Sequence, residues 1–254
     1  MNMVFGAPET NFRRAAQLVS EAAASHPDVI VLPETWNTGF FPRKNLAELS
    51  RGGCRQVQEV MGPLAKKYGV YIVAGSVSDL RDGKIYNTTL VFDRNGDCVA
   101  SYDKTHLFSP MGENRYFTPG DHLCRFSLDG RPCGLIICYD LRFPELTRSL
   151  ALSGLDLLFV AAQWPGARIF QLHTLVRARA VENQIFLACC NSCGQGETAS
   201  FGGSSVIVDP WGEFLAQGGT REALISADCD FSVLDQVRKS IPVFQDRRKE
   251  LYRL

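Results

Sequence analysis

Three residues that could do chemistry stand at the same kind of position, at or directly after the end of a strand-like run. Glu34 follows residues 29–32, Lys104 follows residues 98–103, and Cys138 ends the run CGLIIC. Because sites in open α/β sheets gather beyond strand ends, an acid, an amine and a thiol at three such ends indicate one site. Taken singly, each residue favours a structural role, with Glu34 and Lys104 as an ion pair and Cys138 as a small core residue.

The segment CGLIICYDLRFPE contains two cysteines, and only one of them has a setting suited to nucleophilic chemistry. The thiolate is the reactive form of cysteine. Where a strand leads into a helix, free amide N–H groups and the helix dipole stabilise negative charge. Cys138 occupies such a position, whereas Cys133 lies in mid-strand. Cys138 is therefore the candidate nucleophile.

The predicted elements that must position these residues alternate along the chain. Apolar residues at helical spacing predict helices over residues 12–22, 54–68, 146–152 and 169–182. Short apolar runs rich in β-formers predict strands over residues 28–32, 70–77, 85–93, 98–103, 133–138, 155–161, 185–190, 204–208 and 224–228. Turn signals at Asp82-Gly83 and Asn95-Gly96 add hairpins, so we expect mixed sheets layered with helices.

Length and composition exclude several classes of protein. The chain of 254 residues is 45% apolar and 21% charged, which is typical of a globular protein with a large core, and we expect one domain over residues 1–254. Because 27 basic residues balance 27 acidic ones, no net field favours nucleic acid or an anionic membrane. Neither a long apolar run nor a basic-then-apolar leader is visible, so we expect a cytoplasmic protein that acts on a small molecule.

The cysteines predict neither disulfides nor a metal site. Nine is an odd number, and the residues are scattered, mostly inside apolar strand-like runs, which indicates reduced thiols. Cys189, Cys190 and Cys193 are close in sequence, but no partner CxxC or HxxH spacing accompanies them. No glycine pattern typical of a phosphate-binding loop is visible either, so neither a metal nor a cofactor is predicted.

The local sequences around the three candidate residues resemble the signature segments of the nitrilase superfamily of carbon–nitrogen hydrolases. They are LPET, YDKTHLF and CYDLRFPE, which carry Glu34, Lys104 and Cys138 in the order and spacing of that family. Further similarity in RARAVENQ, SSVIVDPWGE and IPVFQDRRKELY extends the resemblance over nearly the whole chain. The resemblance implies an α/β protein with the nitrilase-like αββα four-layer sandwich, in which helices flank mixed sheets, and assembly as homodimers or larger homo-oligomers.

The same resemblance implies a cysteine-dependent amidase whose catalytic triad is Glu34, Lys104 and Cys138. Glu34 would act as the general base, first for the thiol and later for the water that hydrolyses a thioester. Lys104 and the backbone N–H of Tyr139 would hold the oxyanion, and such a donor contributes about 3 to 4 kcal/mol of transition-state stabilisation. Glu113, in MGENRYFTPG, stands where the family generally has a second, substrate-positioning glutamate, and an exposed loop acid is its structural alternative.

His106 offers a different base for the same thiol, because cysteine nucleophiles often use histidine. It follows Lys104 closely in the chain, and a structural or supporting histidine is the other interpretation. Mutation distinguishes these two interpretations of His106. A papain-like site would need His106, whereas the site described above needs Glu34.

Substrate preference is indicated by finer similarity. The segments WNTGF, AAQWPGAR and IPVFQDRRKELY resemble most the omega-amidase branch of the family, which hydrolyses the terminal amide of short dicarboxylic monoamides such as 2-oxoglutaramate. Such a substrate needs a cation for its distal carboxylate, and Arg168 is the candidate, with an exposed structural arginine as the alternative. Trp164 and Phe40 are candidates for the pocket wall, although aromatic residues in such loops more often serve packing.

Two other functions stay open at this stage. Within the family, an N-carbamoyl-amine amidase or a deaminated-glutathione amidase would use the same triad, because the triad names a mechanism and no substrate. From a different class, a non-catalytic scaffold or thiol-redox protein would use the many cysteines, although the paired CxxC typical of a dithiol exchanger is missing.

Overall fold

The computed structural model describes residues 1–40, 42–196 and 199–252 of the chain. Within these ranges the helices are α1 (Pro8–Ala23), α2 (Leu46–Leu49), α3 (Gly53–Tyr68), α4 (Pro144–Ala151), α5 (Ile169–Asn183) and α6 (Ser232–Ser240). The strands are β1 (Val29–Val31), β2 (Tyr71–Val73), β3 (Val77–Arg81), β4 (Lys84–Phe92), β5 (Cys98–Asp103), β6 (Cys124–Leu128), β7 (Arg131–Ile137), β8 (Leu157–Ala162), β9 (Phe186–Asn191), β10 (Cys193–Gln195), β11 (Ser200–Gly202), β12 (Val206–Val208) and β13 (Phe214–Gln217). None of the helices in these ranges is long and apolar enough to span a bilayer.

Five strands form the first sheet, with the long strand β4 at its centre. β1 pairs with β2 in parallel, and β2 pairs with β4 in the antiparallel sense. β3 continues along the same edge of β4 as β2, while β5 pairs with the opposite edge. The turns predicted at Asp82-Gly83 and Asn95-Gly96 connect β3 to β4 and β4 to β5, so both hairpins are confirmed.

The second sheet contains six strands in the order β13-β12-β9-β8-β7-β6. The neighbours β7, β8 and β9 are parallel to one another, and antiparallel strands complete both edges. All six residues of β8 are buried, which is typical of a strand covered on both faces. Such a strand is seen in the sequence as a continuous apolar run, here LLFVAA.

The two sheets pack face to face, and helices cover the outer face of each. Strand residues alternate between faces: Ile30 in β1 packs with α1 and α3, whereas its neighbours Val29 and Val31 pack against the core of the second sheet. Leu150 of α4 and Leu172 of α5 belong to that second core. The order of layers is therefore helices, sheet, sheet, helices, and the predicted αββα sandwich is confirmed.

The single strand predicted over residues 70–77 is wrong, because the structure divides it into β2 and β3. Gly75 separates them with a φ of +60°, a left-handed conformation that favours glycine. The backbone of the loop after β1 enters at this break, where the N–H of Ser76 donates to the carbonyl oxygen of Pro33 at 2.9 Å. That loop carries Glu34, so the interruption of the strand helps to place a candidate site residue.

The strand predicted over residues 224–228 is also wrong. These residues have no strand pairing, and the side chain of Leu224 is 52% exposed. The edge of the sheet beside β12 is occupied by β13 instead, with Val206 opposite Gln217. The apolar residues that favoured a strand belong to a partly buried surface segment.

Gly75→Ala is expected to lower the free energy of unfolding by clearly more than Gly83→Ala, measured by urea denaturation. Both glycines have positive φ, so each substitution adds about 1 to 2 kcal/mol of left-handed strain. A Cβ atom at Gly75 would also lie 2.1 Å from the carbonyl oxygen of Pro33, whereas one at Gly83 meets nothing within 4 Å. Equal losses in the two variants would contradict a tight approach at Gly75.

Candidate active site

Cys138 lies where β7 ends and the chain turns sharply. The strand ends at Ile137, and a 3-10 helix runs over Cys138–Arg142. The backbone of Cys138 has a φ of +45°, a left-handed conformation that is uncommon for a residue other than glycine. Strained backbone of this kind clusters at functional sites and persists only where the surrounding structure holds it.

Asp140 holds this turn and connects it to the loop that follows β5. One of its carboxylate oxygens accepts the N–H of Ile137 at 3.0 Å and the hydroxyl of Tyr102 at 2.8 Å. The other accepts the hydroxyl of Thr105 at 3.0 Å and the backbone N–H of His106 at 2.9 Å. Because Asp140 is fully buried, no water replaces these bonds when they are lost.

Lys104, Glu34 and Glu113 form a buried cluster of charges. The Nζ atom of Lys104 lies 2.8 Å from Oε1 of Glu34, and 3.0 and 2.9 Å from the two carboxylate oxygens of Glu113. The three side chains are at most 1% exposed. Glu113 is therefore not an exposed loop acid, and the structure brings it together with Lys104 and Glu34. Charges buried this deeply are stable only when paired and hydrogen-bonded.

Glu34 connects the two sheets. It follows β1, and its Oε2 atom accepts the backbone N–H of Gln163, which follows β8, at 2.9 Å. The neighbouring Thr35 donates its backbone N–H to the hydroxyl of Ser76 and its own hydroxyl to Oε1 of Gln163, both at 2.9 Å. The Glu34 carboxylate is thereby fixed at the seam between the sheets.

The cluster sets the protonation states of its members. Burial alone would lower the pKa of Lys104, but the charges of Glu113 and Glu34 raise it well above its usual value, so Lys104 is an ammonium. Burial, followed by the charge of Glu34, raises the pKa of the Cys138 thiol, and Lys104 offsets this only in part. The thiol is therefore protonated at neutral pH, and burial outweighs the stabilisation of a thiolate expected at a helix start. Burial also raises the pKa of Glu113, against the effect of Lys104.

Cys138 and Lys104 line one pocket of about 380 Å³, a volume that includes its opening to solvent. The predicted substrate-binding residues and the residue predicted to supply an oxyanion donor line the same pocket: Phe40, Tyr139, Trp164 and Arg168. All the residues predicted for the site from the sequence thus converge on this pocket or on the charged cluster behind it.

The pocket holds a second guanidinium, that of Arg142, which lies in the segment CYDLRFPE but was not among the predicted site residues. Its Cζ atom lies 4.9 Å from the centre of the Trp164 ring, and Cζ of Arg168 lies 5.4 Å from the centre of the Phe108 ring. Neither guanidinium has a carboxylate or carbonyl partner among the residues that the structure describes. Two such cations in one small pocket favour an anionic ligand. The position of Arg142, four residues after Cys138 in the turn that follows β7, could have indicated from the sequence that it lies near the thiol.

His106 is engaged away from the thiol. Its Nδ1 atom lies 2.8 Å from Oδ1 of Asp140, and its ring stacks on Phe143 with centroids 3.7 Å apart. In the described part of the chain, His106 is not among the residues that line the pocket with Cys138. The geometry therefore favours Glu34 over His106 as the base for the thiol.

The cysteines that are close in sequence lie on two different strands. Cys189 and Cys190 are consecutive in β9, so their side chains point to opposite faces of the sheet. Cys193 lies in β10, which pairs with β11 in a separate ribbon. Over residues 1–40, 42–196 and 199–252, no three His, Cys, Asp or Glu side chains are grouped so that they could hold a metal ion.

Comparison with known proteins identifies the class of enzyme to which this four-layer sandwich belongs. The model of the carbon-nitrogen hydrolase family matches residues 1–239. The chain belongs to the carbon–nitrogen hydrolase family, and it is a hydrolase of carbon–nitrogen bonds of the amidase type.

Individual relatives cover nearly the whole chain. A 2-oxoglutaramate amidase of Bacillus subtilis (strain 168) is 42% identical over 248 residues, which cover 98% of this chain and 95% of the relative. An omega-amidase of Danio rerio is 38% identical over 262 residues, covering 95% of this chain and 90% of the relative. A solved structure of a mutant amidase from Nesterenkonia sp. AN1 has a TM-score of 0.85 and 28% identity, and covers 98% of this chain and 92% of its own. That structure shows covalent addition of the acetamide moiety of fluoroacetamide at the active-site cysteine.

Asp140→Asn is expected to destabilise the fold by about 3 kcal/mol, because the new amide nitrogen faces N–H or O–H donors that a buried carboxylate oxygen now accepts. Urea unfolding measures the change. Asp230→Asn is the matched control, since Asp230 is exposed and accepts the N–H of Ser232 at 3.0 Å. The control should change stability by less than about 0.5 kcal/mol. A similar small effect at Asp140 would contradict its role in holding the turn.

Proposed function

We propose that this chain is a cysteine-dependent amidase that hydrolyses the terminal amide of a small carboxylic-acid monoamide, such as 2-oxoglutaramate, through a thioester. The observation that carries the proposal is the convergence of residues from three distant segments at one pocket. Glu34 and Lys104 share a hydrogen bond of 2.8 Å behind the pocket, and Cys138 lines that pocket with Lys104.

Glu34 acts as the general base toward Cys138. Because the pKa of the buried thiol is raised, its proton passes to the Glu34 carboxylate as the sulfur attacks the amide carbon. The carbonyl oxygen becomes an oxyanion, which the Lys104 ammonium and the backbone N–H of Tyr139 stabilise. When the C–N bond breaks, Glu34 gives the proton to the leaving nitrogen, and ammonia departs from a thioester on Cys138.

Water then completes the cycle. Glu34 takes a proton from the water as its oxygen attacks the thioester carbon, and the same two donors hold the second oxyanion. Collapse of this intermediate releases the carboxylic acid, and the sulfur of Cys138 takes the proton back from Glu34. Glu113 keeps Lys104 charged and in place, because its two oxygens lie 3.0 and 2.9 Å from Nζ.

The substrate preference rests on the two cations of the pocket. Arg168 and Arg142 line the same space as Cys138, and a guanidinium binds a carboxylate with two parallel hydrogen bonds. Trp164 and Phe40 form apolar walls of this space. A dicarboxylic monoamide fits it, with the amide at Cys138 and the distal carboxylate at the arginines. The names of the two relatives, a 2-oxoglutaramate amidase and an omega-amidase, support the same substrate class.

Homo-oligomeric assembly, as a dimer or a multiple of dimers, and a cytoplasmic location are also part of the proposal. The assembly rests on the resemblance of the sequence to the family, and the location rests on the expectation drawn from the sequence pattern.

Parallel assays on 2-oxoglutaramate and on N-carbamoyl compounds test the function. We expect ammonia release with the higher kcat/KM on 2-oxoglutaramate, because that substrate offers a simple carboxamide carbon to the Cys138 thiol and a distal carboxylate to the arginines. Mass spectrometry of enzyme quenched during turnover should find the acyl group on the peptide that contains Cys138. Cys138→Ser is the control and should show neither ammonia nor adduct. Turnover of N-carbamoyl compounds without turnover of 2-oxoglutaramate would contradict the proposed substrate.

Arg168→Met and Arg142→Met are each expected to raise KM for 2-oxoglutaramate at least about tenfold, because a hydrogen bond between charged groups contributes roughly 1.5 to 3 kcal/mol. Methionine keeps the aliphatic volume and removes the charge. A neutral amide of the same length is the matched control substrate, and its KM should change by less than about twofold. Equal losses on both substrates would show that the arginines support the pocket and do not bind the carboxylate.

A further inference from the structure

Asn87 is a buried polar residue of β4 that lies opposite Lys104. Its backbone carbonyl accepts the N–H of Lys104 at 2.9 Å, where the pairing of β4 with β5 ends. Its side chain is fully buried, and the pocket lining, in the described ranges, does not include it. Asn87 can therefore act on the reaction only through residues that it contacts.

The side-chain amide of Asn87 donates toward both carboxylates of the cluster. Its Nδ2 atom lies 2.9 Å from Oε1 of Glu34 and 3.4 Å from Oε1 of Glu113. This orientation follows from charge, because the amide oxygen would be repelled by either carboxylate. The amide oxygen Oδ1 is buried and has no hydrogen-bond partner in the part of the chain that the structure describes. A buried acceptor without a hydrogen-bond partner lowers the stability of the fold and is rare in native structures.

All the N–H groups of the Lys104 ammonium already donate hydrogen bonds to carboxylate oxygens. An ammonium has three N–H donors. Nζ of Lys104 has three carboxylate oxygens at 2.8 to 3.0 Å, which are Oε1 of Glu34 and both oxygens of Glu113. Lys104 can therefore donate to a substrate oxyanion only when one of these bonds is released. Two of the three go to Glu113, so a bond to Glu113 is the one that can be given up while both ion pairs remain.

We propose that Asn87 is a positioning residue that holds Glu34 and Glu113 side by side and becomes the donor to Oε1 of Glu113 when Lys104 turns toward the oxyanion. The inference rests on the proposed thioester mechanism. The contact of 3.4 Å between Asn87 and Glu113 is long and has room to shorten as Lys104 leaves that oxygen. Only a hydrogen bond is exchanged in this step: Oε1 of Glu113 loses Lys104 as a donor and gains a shorter bond from Asn87, while Oε2 of Glu113 and the Glu34 carboxylate keep Lys104.

Asn87→Leu tests the inference, because leucine is close to asparagine in size and has no donor. We expect kcat for 2-oxoglutaramate to fall at least about tenfold while KM stays within about twofold. The acidic limb of the profile of kcat/KM against pH should move to higher pH, because a carboxylate that loses a donor is protonated more readily.

Thr89→Val is the matched control. Thr89 lies two residues further along β4, on the same face of the strand, and is equally buried. Its hydroxyl has no partner within the described ranges. Its replacement should therefore leave kcat, KM and the pH profile unchanged. A similar loss in both variants would overturn the specific role of Asn87, because it would show that any change on this face of the strand has the same effect.

Alkylation of Cys138 by iodoacetamide gives a second readout that needs no substrate. The rate rises with pH as the base that takes the thiol proton becomes ionised, so this rise should move to higher pH in Asn87→Leu and not in Thr89→Val. Coincident curves for Asn87→Leu and the wild type would overturn the inference even if the wild type hydrolyses 2-oxoglutaramate. Absence of that hydrolysis in the wild type would count against the proposed function alone. If Asn87→Leu does not fold, as judged by circular dichroism, Asn87→Ala carries the same expectation.

Discussion

The site depends on the ion pairs between the buried Lys104 ammonium and the carboxylates of Glu34 and Glu113. Removing any one of these charges from water costs several kcal/mol. Only the attraction between the three charged side chains, together with their hydrogen bonds, offsets that cost. Each of Lys104, Glu34 and Glu113 is thus stable in its position because the other two are there. The three residues come from the loop after β1, the end of β5 and the segment that follows, so the cluster also fixes these segments relative to one another.

The seam between the two sheets explains why such a cluster can be held rigidly. Glu34 follows a strand of the first sheet and is bound by the backbone of Gln163, which follows a strand of the second. Asp140, in the turn after β7 of the second sheet, is bound by Tyr102 of the first. The contacts that join the sheets are therefore the contacts that align Glu34 with Cys138. Because the core between closely packed sheets has low compressibility, a site built on these sheets is held rigidly.

The order of layers and the residues of the charged cluster could be predicted from the sequence, and the contacts between distant segments could not. Glu34, Lys104 and Cys138 were found because each stands at a strand end inside a distinctive local motif. Asn87 was missed because it lies inside the strand-like run IYNTTLVF, where a polar residue is consistent with an ordinary strand position. The break at Gly75 was missed for a similar reason, since apolar periodicity does not reveal a backbone that approaches from another part of the chain.

The net charge of the cluster gives a reason for its composition. In the proposed mechanism, two carboxylates, the Lys104 ammonium and a neutral thiol together carry one negative charge. Transfer of the thiol proton to Glu34 moves that charge to sulfur, and attack on the amide moves it to the oxyanion, so the buried site never gains or loses net charge. In a medium of low dielectric constant, changing the net charge would cost far more than moving it over a few ångströms. In the proposed mechanism Glu113 is therefore useful, because its charge balances that of Lys104 and leaves the remaining negative charge free to follow the reaction.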